Sequence, residues 1–149
     1  MPIDRDAFFA RTMHTPDSPE RAELRAALRA LSKALLPLHR ALIDSARDDY
    51  AFGYGKSVDS PAQLIQLITD DPFFAWLKPM TALIVEIDEM TRTDFDADQA
   101  RAVAARVDRL FDDGAFNEHY LPLLQRDVDV AIAHAAIRAA LAKLTQSAP

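Results

Sequence analysis

The chain has 149 residues, half of them hydrophobic, and a formal charge of −6 from 23 acidic and 17 basic side chains. A length of this order suits a single domain, 1–149, that buries roughly two-thirds of its unfolded surface without a covalent staple. There is no cysteine, which excludes a disulfide framework, thiolate metal sites and a cysteine nucleophile, and the acidic balance works against binding nucleic acid.

The start, MPIDRDAFFARTMH, carries Asp4 and Asp6 and has no apolar core of the kind a secretory signal needs. No apolar run approaches the ~18 residues of a membrane span. These features together point to a cytoplasmic protein with no membrane partner. A short first helix over about 4–11 is expected to lay Phe8 and Phe9 on the rest of the fold, and HTPDSP ends it.

Ser18 then offers an N-cap oxygen and Pro19 a first helical residue whose missing N–H costs nothing. The second helix is read over 19–51, with Leu24, Leu28, Leu31, Leu35, Leu38 and Leu42 stepping by fours and threes along one face. Pro37 lies inside it and predicts a kink near 33–37. Arg25, Arg29, Lys33 and Arg40 read as a solvated face, interrupted by Glu20, Glu23 and Asp44. Gly53 or Gly55 closes the helix in a left-handed cap.

Ser60 and Pro61 repeat the start signal for a third helix over 61–69, with Leu64, Ile65, Leu67 and Ile68 as its buried side. Residues 51–70, with Tyr50, Phe52 and Tyr54 beside the paired glycines, form the least regular stretch, where a lid or binding edge would sit. Asp71 and Pro72 open a fourth helix over 72–91, kinked at Pro79, with Phe73, Leu77, Met80, Ile84 and Ile87 on its apolar face. Asp96 and Gln99 have capping-box spacing for a fifth helix over 97–112, which Gly114 closes. Asn117 is expected to cap a sixth over 118–145, with Pro122 one turn in. Its alanine-rich body lets a neighbour approach closely, and Ala131, Ala135 and Ala139 are the positions expected to meet a partner helix or a second subunit. The fold class is all-α, and the expected architecture is a kinked antiparallel four-helix bundle with short accessory helices.

Motifs that would name a reaction are missing. GYGKS lacks the first glycine of a phosphate loop, since position 50 is Tyr50, and it follows a helix where the loop follows a strand. Glu86 and Glu89 have no histidine three residues on, which argues against a di-iron bundle, and no GxSxG occurs. No catalytic residue, cofactor or metal is assigned. The polar residues worth attention are His39, Asp88 and His134, each on or beside the apolar stripe of its helix, where an unpaired polar group costs ~1–3 kcal/mol. Asp49, a heptad beyond Leu42, also stands where the stripe calls for an apolar residue. Two readings of His39, Asp88 and His134 stay open: polar pairs that fix helix register, or a shared ligand or metal site. Phe73, Phe74 and Trp76 read as packing, with a partner- or ligand-gripping edge as the other reading.

Two stretches, LLPLHRALIDSARDDYAFGYGKSVDSPAQLIQLITDD and PFFAWLKPMTALIVEIDE, are similar to a group of small bacterial proteins with no assigned activity. The resemblance covers residues 30–90, carried by His39 in PLHRAL, the SPAQLIQL cap and the DPFFAWLKP turn. It implies a bacterial all-helical domain and transfers no catalytic residue. The expected function is a non-enzymatic cytoplasmic protein acting through protein–protein contacts, assembled as a homodimer and working on a protein partner of unknown identity. The alternative is a small-molecule or metal-binding bundle built on His39, Asp88 and His134.

Overall fold

A computed structural model describes residues 16–146; the expected first helix, with Phe8, Phe9 and His14, lies outside the described residues. Of these described residues 86% are helical and none forms a strand, so the chain is all-α. The elements are α1 (Pro19–Tyr54), α2 (Pro61–Asp70), a 3-10 turn (Pro72–Leu77), α3 (Lys78–Met90), α4 (Ala97–Asp112), α5 (Gly114–Arg126) and α6 (Val128–Gln146). No described helix is long and apolar enough to cross a membrane.

Local chemistry sets most of the boundaries. The Arg21 N–H donates to Ser18 Oγ at 3.2 Å, and the Gln63 N–H donates to Ser60 Oγ at 3.2 Å, so both Ser-Pro starts act as expected. Gly55 ends α1 at φ 65, the left-handed conformation that an L side chain avoids. Asp96 and Gln99 close a reciprocal capping box, with N–H to oxygen distances of 2.8 and 2.9 Å.

Three boundaries depart from expectation. The segment read as one helix over 72–91 is a 3-10 turn followed by α3. Pro79 therefore sits in the first turn of α3, where its absent N–H leaves no bond unmade, and not at a mid-helix kink. Gly114 opens α5, and it is Asp113 that caps this helix through the Phe116 N–H at 3.1 Å, in the place expected of Asn117. The long last helix is in fact two: Asp127 breaks the chain and its carboxylate accepts from the Asp129 N–H at 2.9 Å. Aspartate competes with helix geometry by bonding nearby backbone, and here that competition wins.

The leucine stripe of α1 is buried from Leu24 to Leu42. It faces Leu77, Met80, Ile84 and Ile87, the Val103–Val107–Phe111 face of α4, and Val130, Ile137, Leu141 and Leu144 of α6. Helix α1 packs most extensively on α6 and next on α3; α4 packs on α3, α5 and α6. Arg25 near the start of α1 bonds the end of α3, and His39 midway along α1 bonds Thr81 near its start, so these two helices run in opposite directions. The short α2 has no buried residue: Leu67 and Ile68 rest against the core, and Ile65, expected to be buried, is exposed.

Candidate functional site

Helix α6 carries His134 one turn before Arg138, on the side that meets α4 and α5. The half-buried imidazole is edge-on to Phe111, with ring centroids 5.1 Å apart, and its Nδ1 lies 2.7 Å from Tyr120 Oη. Arg138 Nε, which can only donate, lies 3.4 Å from His134 Nε2, while Arg138 Nη1 donates to the Asp108 carboxylate of α4. Nε2 therefore accepts, and the ring proton sits on Nδ1 and is donated to Tyr120. Burial lowers the His134 pKa below the ordinary histidine range, and the Arg138 charge lowers it further. Burial raises the Tyr120 pKa well above the usual phenol range, with Arg138 opposing. Both groups are neutral at pH 7, and the network is closed by Asp108.

His39 uses different partners. Its Nε2 lies 2.8 Å from Thr81 Oγ1, and the Thr81 hydroxyl donates to the Leu77 carbonyl at 3.1 Å. The hydroxyl hydrogen is committed to Leu77, so the threonine oxygen accepts from a proton on His39 Nε2. Burial alone lowers the His39 pKa. The bond pins the middle of α1 to the first turns of α3.

Asp88 does not join them. Its side chain is 56% exposed on α3 and pairs with Arg92 one turn on, at 2.8 Å. The expectation that it faces the interior is corrected: the residue beside Ile87 turns outward, because α3 buries the Met80–Leu83–Ile84–Ile87 stripe and Asp88 lies past its edge. The three residues share no bonding partner. Among the described residues no group of three or more histidine, aspartate or glutamate side chains is placed to hold a metal ion.

An open apolar feature lies elsewhere. Between α1 and α6 runs a groove of about 670 Å³, floored by Ala30, Ala34, Pro37, Ala133, Ala136 and Ala140. Ile132, 64% exposed, stands on its edge. Lys33 and Lys143 are charged groups on its lining, and Asp129 is the acidic one. Short side chains cause the groove: two helices lined with alanine meet without side chains long enough to roof the seam. Of the alanines expected to face a partner, Ala139 lines this groove, whereas Ala131 is half-buried outside it and Ala135 is exposed outside it.

Sequence reasoning also missed Arg25, which is not on a solvated face. Its residue is 7% exposed. Nε and Nη2 form a fork on Asp17 at 2.6 and 3.0 Å, and Nη1 donates to the carbonyls of Thr91 and Thr93 at 3.0 and 2.9 Å. Phe95 covers the guanidinium at 5.0 Å. The Asp17 hydrogen bond raises the Arg25 pKa further, against the opposing effect of burial. The carbonyl partners lie 66 and 68 residues along the chain, so no local pattern marks this arginine. No family model, curated protein or solved structure matches the chain.

Proposed function

We propose that this is a non-enzymatic protein of the cytoplasm that acts through helix–helix contact, and that the α1/α6 groove is where a second copy of the chain docks. The observation that carries this reading is the pattern along α6. Asp129, Ile132, Ala136, Ala139 and Lys143 follow one another at spacings of three and four, which puts them on one stripe beside the open groove. A twofold axis makes each residue of the stripe meet its mirror position in the partner. An antiparallel crossing of the two α6 helices centred on Ala136 sets Asp129 against the partner's Lys143, and the reverse. Ile132 then falls over the partner's Ala140, a large exposed side chain over a small one. The ends of the stripe carry opposite charges, its centre is an alanine, and Ala133 and Ala140 lie beside it, so this face of α6 is complementary to itself.

The proposal includes the architecture. Helices α1, α3, α4 and α6 form a closed ring of packed neighbours, which supports an antiparallel four-helix bundle with α2, the 3-10 turn and α5 as accessories. Pro37 in the middle of α1 supports a kink there. Cysteine-free composition fits the reducing cytoplasm.

Sedimentation equilibrium tests the assembly. The expected result is a dimer at micromolar concentration that Asp129→Lys dissociates, and that the double swap Asp129→Lys with Lys143→Asp restores. A strict monomer at high concentration, or a dimer that Asp129→Lys leaves unchanged, overturns the proposal.

A further inference from the structure

Towards the other end of α1 from Arg25, a second concavity of about 370 Å³ lies between the last turns of α1, the 3-10 turn and α5. Its volume is within the range of small-ligand sites, roughly 300–1,000 Å³. Ala46 and Leu123, both buried, form the floor, and Phe73 and Trp76 form an aromatic wall. Asp49, Glu118 and Arg126 supply the charge.

Each part has a local cause. The α1 stripe ends in small and polar residues: Ala46 leaves room one turn after Leu42, and Asp49 occupies the position a heptad beyond Leu42. The 3-10 turn places Phe73 and Trp76 on the same side, because residues three apart eclipse in that geometry. Trp76 is held in place by His119, stacked on it at 4.8 Å with 11° between the ring planes, and by Phe116 at 5.7 Å. The indole is thus positioned before any ligand arrives. Asp49, Glu118 and Arg126 form no ion pair with any described residue. Neither carboxylate is neutralised by a fold partner, so their field is available to a ligand.

We infer that this pocket binds a small organic monocation, an ammonium group on a flat apolar body. Two carboxylates against one guanidinium leave the lining net negative, which favours a cation. Phe73, and Trp76 with one face covered by His119, line the pocket with aromatic surface for the apolar body, and an aromatic face attracts the same charge. Arg126 repels a second positive charge and so restricts the class to monocations. The inference is independent of the α1/α6 groove and concerns a different face of α1.

Trp76 is the only tryptophan of the chain, so its fluorescence reports on this pocket alone. The experiment titrates the full chain with 2-phenylethylamine and follows both Trp76 emission and binding heat. The uncharged analogue 2-phenylethanol is the control. Saturable binding of the amine is expected, with the alcohol at least about tenfold weaker and the Asp49→Asn, Glu118→Gln variant weakened by about the same factor. Both replaced side chains are exposed, so circular dichroism of the variant should match the parent and the comparison holds. No saturation of the parent by the amine overturns the inference. So does equal binding of the alcohol, or undiminished binding by the folded double variant.

Discussion

Two regions of α1 invert the usual relation between polarity and burial. Near its start, Arg25 is charged and closed off: Asp17, two carbonyls beyond the end of α3 and the Phe95 ring use its donors and cover its face. Along its middle, half-buried Ala30 and Ala34 and exposed Pro37 are apolar and floor a groove that no described side chain roofs. A helix end leaves carbonyls without intrahelical partners, and a guanidinium with five donors in a fixed fork can satisfy several at once. An alanine seam has nothing long enough to cover itself. Burial at each place is decided by what the neighbouring element lacks, not by the residue's own hydropathy.

The strongest way to break this comparison is to make Arg25 apolar. Arg25→Met keeps much of the volume but removes every donor, leaving the Thr91 and Thr93 carbonyls and the Asp17 carboxylate without the guanidinium. Removing one partner of a buried charged pair costs about 3–5 kcal/mol, so a loss of that order in urea-measured stability is expected. Arg25→Lys should recover only part, since an ammonium keeps the charge and loses the fork. If Arg25→Met unfolds with the parent's midpoint, the clamp holds nothing together.

The next effect tests the layer beneath the groove. Leu35 is 1% exposed and adjoins Ala34 of the groove floor. Leu35→Ala should cost about 2–5 kcal/mol, as should Leu77→Ala across the core. A cost below about 0.5 kcal/mol at Leu35 would mean that the groove extends into the interior and that the stripe is not core there.

What could be read from the sequence, and what could not, follows the same division. The Ser18, Ser60, Asp71 and Asp96 caps were readable because a cap satisfies backbone groups two or three residues away. The leucine stripe was readable because period alone identifies the buried face. Arg25 was hidden because its bonding partners, apart from Asp17, lie in another helix's end. Asp88 eludes the pattern for a related reason: adjacency to Ile87 cannot say on which side the stripe ends. The break at Asp127 had a local sign, an aspartate followed by Val128 and Asp129, but apolar spacing continued across it and masked the sign. His39 and His134 are legible as polar groups at the core's edge. Their separate partners, Thr81 and Tyr120, depend on helix pairing that spacing does not encode.

The histidines give a smaller, pH-dependent effect. Both have folded-state pKa values lowered by burial. The unfolded chain therefore binds more protons than the folded one near and below the ordinary histidine pKa of about 6.5. Stability contributed by the neutral rings is fully present above that pH and is lost as pH falls through it towards the lowered folded values. Urea midpoints should accordingly fall between pH 7.5 and 5.5, roughly the window around the free histidine value. His39→Gln and His134→Gln together should flatten that slope. An unchanged slope in the double variant would assign the pH dependence to other groups.

The smallest expected effect falls on the open side and completes the inversion. Ile132 is an isoleucine that the isolated chain leaves 64% exposed, so replacing it removes little buried area. Lysine is at least as good a helix former as isoleucine. In dilute solution, where a weak dimer is dissociated, Ile132→Lys should therefore change unfolding free energy by less than about 0.5 kcal/mol. The effect should appear only with concentration. If the groove receives a second copy, the parent's melting temperature rises as protein is added, by mass action between folded dimer and unfolded chain. In Ile132→Lys the charge would sit over the partner's Ala140, and that rise should vanish. A parent whose melting temperature is independent of concentration would show that the groove is simply uncovered and that its openness has no partner behind it. A charge introduced at Ile132 without cost, set beside an arginine that cannot be removed without large cost, would establish that the two regions differ in what surrounds them.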